Sequence, residues 1–182
     1  WWYEYSGGQV TDWGVHHMDI ALWALGLEET GPTHINAKGA FEGCGERCYN
    51  VAKSFDCTLT FANDRTVTLN SDKNELIIEG ELGKIRVNRG GLTGKPVDDI
   101  ATSQNDTDWL EAEVEKLYRG MPMKSHMRNF FHCMSSRELP ISDVFTHHRS
   151  VSACHLANIA MRLDRELTWA PEAEDFVNDP DA

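Results

Sequence analysis

Residues 7–26 read GGQVTDWGVHHMDIALWALG, a glycine pair followed by a segment with helical periodicity. Four apolar side chains recur three or four residues apart: Val15, Met18, Leu22 and Leu25. This spacing predicts an α-helix with one buried face. We expect the helix to begin near Thr11 or Asp12 and to end at Gly26, because glycine suits a left-handed C-terminal cap. The buried stripe of this helix is expected to anchor the core.

A second stripe of the same helix carries polar groups. Asp12, His16 and Asp19 lie four and three residues apart, so they share one helix face. A neighbouring carboxylate fixes the tautomer of an imidazole and raises its proton affinity, so this line of residues can move a proton to or from a substrate hydroxyl. The alternative is structural: Asp12 caps the helix and His16 is a surface residue. Spacing alone favours the structural alternative.

Composition and charge exclude several classes of partner. The chain has 182 residues, enough for one domain with a sizeable core, and 41% of them are hydrophobic. Its formal net charge is −12, with no cluster of Lys or Arg, which argues against nucleic acid and membrane as partners. The aromatic start WWYEY and the acidic end indicate a piece of a longer protein, which we expect to be cytoplasmic.

Histidines and cysteines do not form a recognisable metal-binding pattern. Adjacent side chains such as His16 and His17 point roughly 100° apart on a helix, and neither histidine cluster has the spacing of a helical zinc motif. Three later histidines are expected to pack or form hydrogen bonds: His147, His148 and His155. Cys44 and Cys48 form a C-x3-C pair, for which reduced thiols are favoured over a metal or disulfide site.

The remainder of the chain predicts strands first and helices afterwards. Alternating patterns predict strands within residues 33–41, 49–63, 65–71, 75–90 and 166–171. Helical patterns cover residues 109–120, 125–137 and 142–165, and residues 90–107 are predicted to form a loop. Successive strands with short turns predict an open, mainly antiparallel sheet. We therefore expect one α+β domain over residues 1–182, with helices on one face of the sheet.

The opening stretch resembles the start of the C-terminal domain of the Gfo/Idh/MocA (glucose–fructose oxidoreductase / inositol dehydrogenase) family, which shows a glycine run and then D-x-G-x-H-x-x-D. The matching residues are Gly7, Gly8, Asp12, Gly14, His16, Asp19 and Gly26. Residues 78–85 and 129–144 resemble further parts of that domain. The segment WAPEAEDFVND resembles the tail of a subgroup common among environmental bacteria.

This resemblance implies the second half of a nicotinamide-dependent oxidoreductase, with a fold like the C-terminal domain of dihydrodipicolinate reductase. NAD or NADP would be bound mainly by a Rossmann domain that is absent from this chain, which has no G-x-G-x-x-G loop. The pair Lys95-Pro96 does not match the position of the family's catalytic Lys-Pro motif. The resemblance also implies a homodimer or homotetramer formed through the sheet face.

The resemblance assigns roles to residues of the opening stretch. His16 would contact the substrate carbinol or relay its proton, and Asp12 would orient His16 or the substrate. His17, Asp19 and Trp13 would contact or support a carbohydrate substrate. The expected reaction is oxidation or reduction at a CH–OH group of a sugar or polyol. Two alternatives stay open: an NAD-dependent glycosidase of the same family, and a non-catalytic oligomerisation or recognition module.

Overall fold

A computed structural model describes residues 1–41, 49–121 and 125–182. Its contacts divide the chain into two compact units, the first formed by Trp1–Leu76 with Phe145–Ala182 and the second by Ile77–Val144. The Cys44–Cys48 pair lies outside the described residues. None of the helices described is long and apolar enough to cross a membrane.

Strands and helices are grouped in separate runs along the chain, as expected for an α+β chain. In chain order they are α1 (Tyr3–Ser6), α2 (Trp13–Leu25), β1 (His34–Ala40), β2 (Ser54–Thr60), β3 (Thr66–Asn70), β4 (Leu76–Gly80), β5 (Gly83–Asn88), β6 (Gly91–Thr93), α3 (Lys95–Ala101), α4 (Gln104–Tyr118), α5 (His126–Ser136), α6 (Val144–Leu163), β7 (Leu167–Ala170) and β8 (Asp175–Phe176). A short 3-10 turn, Ala62–Asp64, joins β2 to β3.

The first unit is built on a five-stranded sheet in the order β3-β2-β1-β7-β8, with antiparallel neighbours. Cys57 of β2 faces Ala37 of β1 and Leu69 of β3 across the register, and these three side chains are buried. They share one hydrophobic core with α2 and α6, so both helices cover the same face of the sheet. This arrangement confirms the predicted α+β fold with an open antiparallel sheet.

The opposite face of this sheet is polar. His34, Asn36 and Lys38 of β1 alternate with buried residues and are exposed, as are Thr66 and Thr68 of β3. Strict alternation of this kind is expected when only one face of an antiparallel sheet packs on the core. The sheet therefore presents a broad hydrophilic surface on the side away from the helices.

The second unit contains a three-stranded sheet, β4-β5-β6, together with α3, α4 and α5. The prediction of a loop over residues 90–107 is wrong, because β6, α3 and the start of α4 lie there. Pro96 occupies the first turn of α3, and the Ser103 side chain caps α4 by accepting from the Asp106 backbone N–H at 3.3 Å. Caps and Pro at a helix start form helices even where apolar content is low. Lys95-Pro96 accordingly begins a helix.

Candidate functional site

The glycine pair before α2 allows the backbone to pass very close to its neighbours. Gly7 and Gly8 have φ of 70° and 80°, a region that L-residues with side chains rarely adopt. The buried Asn158 of α6 donates from Nδ2 to the Gly7 carbonyl at 2.8 Å. A Cβ at Gly8 would lie only 2.6 Å from Cβ of Val51. Both positions therefore require glycine, because the backbone has a positive φ and because there is no room for a Cβ atom. The glycine pair sets where α2 begins.

Helix α2 follows its predicted boundaries closely. Asp12 occupies the N-cap position and Trp13 is the first helical residue. The helix ends in a left-handed cap at Gly26, with φ of 62°, whose N–H bonds to carbonyls of the last turn. Met18 and Leu22 are almost completely buried, which confirms the predicted core stripe. The Asp12 carboxylate makes no side-chain capping bond, so it is not used by the helix start.

The polar stripe of α2 separates into two parts. Asp19 points to α6, where its Oδ1 accepts from the buried Ser150 hydroxyl at 2.9 Å. Its Oδ2 lies 3.8 Å from Nε2 of His147. Asp12 and His16 are exposed, and their side chains form no hydrogen bond or ion pair with residues in the described ranges. The structure thus brings Asp19 to the neighbouring helix and leaves Asp12 and His16 open to an approaching molecule.

Two further predicted site residues border a cleft beside the start of α2. Trp13 and His17 line this cleft, which has a volume of about 280 Å³ and is completed by the segment from β3 to β4. The indole of Trp13 also meets the His16 ring edge-on, with centroids 6.2 Å apart. Trp13 therefore contacts the exposed imidazole of His16 and also lines the cleft together with His17.

The hydrogen bonds of His17 determine what it offers to the cleft. Its Nδ1 lies 3.1 Å from the Trp13 backbone carbonyl, an acceptor, so Nδ1 carries the proton and donates. In the neutral ring, Nε2 is then an acceptor for a hydroxyl or amide of a ligand. His17 is suited to binding a polar group, whereas His16 has both nitrogens available for proton transfer.

Residues that the sequence analysis missed supply most of the polar lining of this cleft. They are Gln9, Asn70, Ser71, Asp72, Lys73 and Asn74. The Asn70 Oδ1 accepts from the Asp72 backbone N–H at 3.2 Å, which shapes the turn and leaves the Asn70 amide N–H groups for another partner. The run of polar residues directly after β3 was the sequence signal for this polar lining. No pattern within that segment, however, shows that it lies against α2.

A separate cluster of charges fixes the chain after β7. Glu174 Oε1 accepts from His148 Nε2 and Arg149 Nη1, each at 2.7 Å. The hydrogen bond from His148 is the main reason why the pKa of Glu174 is lowered, and the Arg149 charge adds to the effect. His148 thus forms a hydrogen bond, as predicted, whereas His147 lies 3.8 Å from the Asp19 carboxylate, beyond hydrogen-bond distance. Within residues 1–41, 49–121 and 125–182, no group of three or more His, Cys, Asp or Glu could hold a metal ion.

Comparisons with known proteins agree with this architecture. The family model described as "Oxidoreductase family, C-terminal alpha/beta domain" of Gfo/Idh/MocA proteins matches residues 1–182. No curated protein sequence matches the chain. The WlbA dehydrogenase from Bordetella pertussis, solved in complex with NADH and UDP-GlcNAcA, superposes with a TM-score of 0.65 at 17% identity, over 93% of this chain and 50% of that protein.

Other solved structures show the same fold at similarly low sequence identity. The aldose-aldose oxidoreductase from Caulobacter crescentus, complexed with glycerol, has a TM-score of 0.57 at 14% identity over 89% of this chain and 48% of its own. Myo-inositol 2-dehydrogenase from Lactobacillus plantarum has a TM-score of 0.58 at 13% identity, with 90% and 49% covered. The chain spans about half the length of these proteins. The chain belongs to the Gfo/Idh/MocA oxidoreductase family, of which it is a C-terminal α/β domain.

Proposed function

We propose that this chain is the substrate-binding part of a nicotinamide-dependent oxidoreductase that acts on a CH–OH group of a sugar or polyol. The observation that carries the proposal is the polar cleft beside α2, where Trp13 and His17 face amide and carboxylate side chains. Sugar hydroxyls need donors and acceptors in alternation, and a sugar ring packs well on an aromatic surface. Structural neighbours solved with NADH, UDP-GlcNAcA and glycerol support this substrate class.

His16 is the residue best suited to proton transfer. It is exposed, lies edge-on to Trp13, and has no hydrogen-bond partner in the part of the chain that the structure describes. A neutral imidazole in that position can accept the proton of a substrate hydroxyl while the carbinol carbon is oxidised. Asp12, one turn earlier on the same face, can orient that hydroxyl or hold the imidazolium that forms.

The nicotinamide supplies the hydride acceptor when it is bound. This chain has no phosphate-binding loop for the cofactor, since no G-x-G-x-x-G occurs in the sequence. It presents only the exposed residues at the start of α2. NAD or NADP is therefore proposed to be held mainly by residues outside this chain. The contribution of the chain is to place the substrate carbinol beside Asp12 and His16.

Asp19 is proposed to position the helix that carries these groups. Its carboxylate accepts from the buried Ser150 hydroxyl and lies near His147, so α2 is tied to α6 at its middle. A shift of α2 would move His16 and His17 together relative to the bound substrate. The contacts of Asp19 thus favour support of the site over direct contact with the substrate.

The exposed face of the five-stranded sheet is proposed to pair with a second copy. His34, Asn36 and Lys38 provide polar side chains there, and a broad open sheet face is suited to an isologous interface. Light scattering on the full-length protein should show a dimer or tetramer. A monomer over a wide range of concentrations would contradict this part of the proposal.

Nicotinamide reduction by the full-length protein tests the proposed activity directly. We expect absorbance of reduced nicotinamide to appear when NAD or NADP is mixed with at least one member of a panel of aldoses, inositols and sugar acids. Release of sugar from glycosides without net reduction would instead favour the glycosidase. Binding of sugars with neither reaction would indicate a recognition module.

A further inference from the structure

The cleft beside α2 has a neighbour of different chemistry. A second hollow of about 380 Å³ is lined by Trp1, Tyr49, Val51 and Ala52, with Gln9 and Lys53 as its polar residues. Gln9 also lines the polar cleft. The two cavities therefore share one lining residue, and both are formed within the first unit of the chain.

The two cavities favour different parts of a ligand. The cleft, at about 280 Å³, is surrounded by Asn70, Asp72, Asn74 and His17, whose groups can bond to several hydroxyls. Its volume lies just below the roughly 300–1,000 Å³ typical of sites for drug-sized ligands, so it suits a single sugar ring. The hollow has two exposed aromatic rings and an aliphatic floor, which suits an apolar or aromatic group.

We propose that the ligand of this site is a glycoside with an aromatic or apolar aglycone, rather than a free sugar. The sugar ring occupies the cleft and the aglycone lies between Trp1 and Tyr49. Gln9 lines both cavities, and its amide hydrogen-bonds the ligand near the glycosidic oxygen. This inference rests on the proposed carbohydrate-binding function and assigns a second subsite to it.

Several features favour one bipartite ligand over two separate ones. The Gln9 side chain makes no hydrogen bond with residues that the structure describes, although its backbone carbonyl accepts from Gly14 at 3.0 Å. The backbone of Gln9 is thus anchored at the start of α2, and its side-chain amide keeps both donors and its acceptor available to a ligand. The floor of the hollow is rigid, because Val51 and Ala52 are buried and Val51 packs against Gly8.

Binding measurements on the full-length protein test this proposal without requiring turnover. Titration calorimetry compares 4-nitrophenyl glycosides with methyl glycosides of the same hexoses, hexosamines and hexuronic acids. We expect the nitrophenyl compound of the preferred sugar to bind about tenfold more tightly, which corresponds to about 1.4 kcal/mol, within the range of one aromatic stacking contact.

A matched pair of tyrosine variants locates the effect. Tyr49→Ala should reduce the affinity for the nitrophenyl glycoside to that of the methyl glycoside. Tyr5→Ala is the control, because Tyr5 is also an exposed tyrosine (86%) but lines neither cavity. Tyr5→Ala should keep the full preference for the nitrophenyl compound.

Each other outcome overturns the proposal. Equal affinity for both kinds of glycoside, a preference that survives Tyr49→Ala, or no binding by any glycoside would remove the second subsite. A gain seen with UDP-sugars but with no nitrophenyl glycoside would also contradict it. Nicotinamide reduction, measured in parallel with the same glycosides and with free polyols, separates the two questions. Activity without an aglycone preference overturns only this inference, and an aglycone preference without nicotinamide reduction by any of these compounds overturns only the proposed oxidoreductase.

Discussion

Replacing Gly8 by alanine tests how the glycine pair places helix α2. The new Cβ would lie 2.6 Å from Cβ of Val51 and 2.9 Å from each of its Cγ atoms. The backbone at Gly8 also has a positive φ of 80°. Val51 is buried, so it cannot move away into solvent.

The expected cost of Gly8→Ala combines three terms. A left-handed conformation costs an L-residue roughly 1–2 kcal/mol, and overpacking typically costs about 1–3 kcal/mol. Alanine also restricts the unfolded chain, which returns about 0.4–1 kcal/mol. Gly8→Ala should therefore lower the free energy of unfolding by about 3 kcal/mol.

Gly26→Ala is the matched control. Gly26 has a similar φ of 62°, but its two chain neighbours apart, no heavy atom of the described residues lies within 4 Å of the position that the new methyl group would take. It keeps the conformational term and lacks the clash, so we expect a loss of about 1 kcal/mol. Urea denaturation followed by circular dichroism measures both variants. Equal losses for Gly8→Ala and Gly26→Ala would refute the reasoning that close contact with Val51 requires the glycine.

Three further predictions concern the surroundings of the site. Ser150→Ala should lower the free energy of unfolding by about 1 kcal/mol, since the half-exposed Asp19 loses a hydrogen bond, and urea denaturation measures it. The pKa of Glu174 is lowered, chiefly by the hydrogen bond from His148. Its contribution to stability is therefore present above the ordinary pKa of 4.5 and is lost as the pH falls through the native pKa. The difference in thermal unfolding temperature between wild type and Glu174→Gln should shrink as the pH is lowered. Burial raises the pKa of the Cys154 thiol to about 12, so alkylation followed by mass spectrometry should modify it only under denaturing conditions.

Local sequence signals predicted the elements that depend on local chemistry. The helix of residues 13–25 was expected because its apolar stripe and Gly26 both lie within the segment. A helix was also expected over residues 125–137, and the Ser125 side chain caps it by accepting from the Arg128 backbone N–H at 3.4 Å. Such features were predictable because cap, period and terminator are all encoded within a few residues.

Helix α3 was missed because its stabilising features are not apolar. Gly94, with φ of 130°, allows a sharp turn before the helix, and Lys95 pairs with Asp99 one turn later at 2.7 Å. A prediction based on hydrophobic periodicity treats such a polar segment as a loop. Pro96 in the first turn and the Lys95–Asp99 pair, rather than burial, indicate the helix here.

The candidate site was only partly predictable for a topological reason. Asp12 and His16 were identified from their spacing, but the bond between Asp19 and Ser150 joins residues 131 positions apart. The same applies to the cleft, which is lined both by His17 and by Asp72 from the segment after β3. Contacts of this range are set by the packing of α2 on the sheet, which no local pattern records.

Steady-state kinetics of His16→Ala in the full-length protein, with His17→Ala beside it, tests the central claim most directly. Because a positioned acid or base typically contributes about 10²–10⁴-fold, His16→Ala should lower kcat by that factor while cofactor affinity is kept. His17→Ala should mainly raise KM, because His17 lines the cleft and not the exposed edge. Unchanged kcat in His16→Ala, or a collapse of kcat in His17→Ala alone, would contradict the assignment of His16 as the group that accepts the substrate proton.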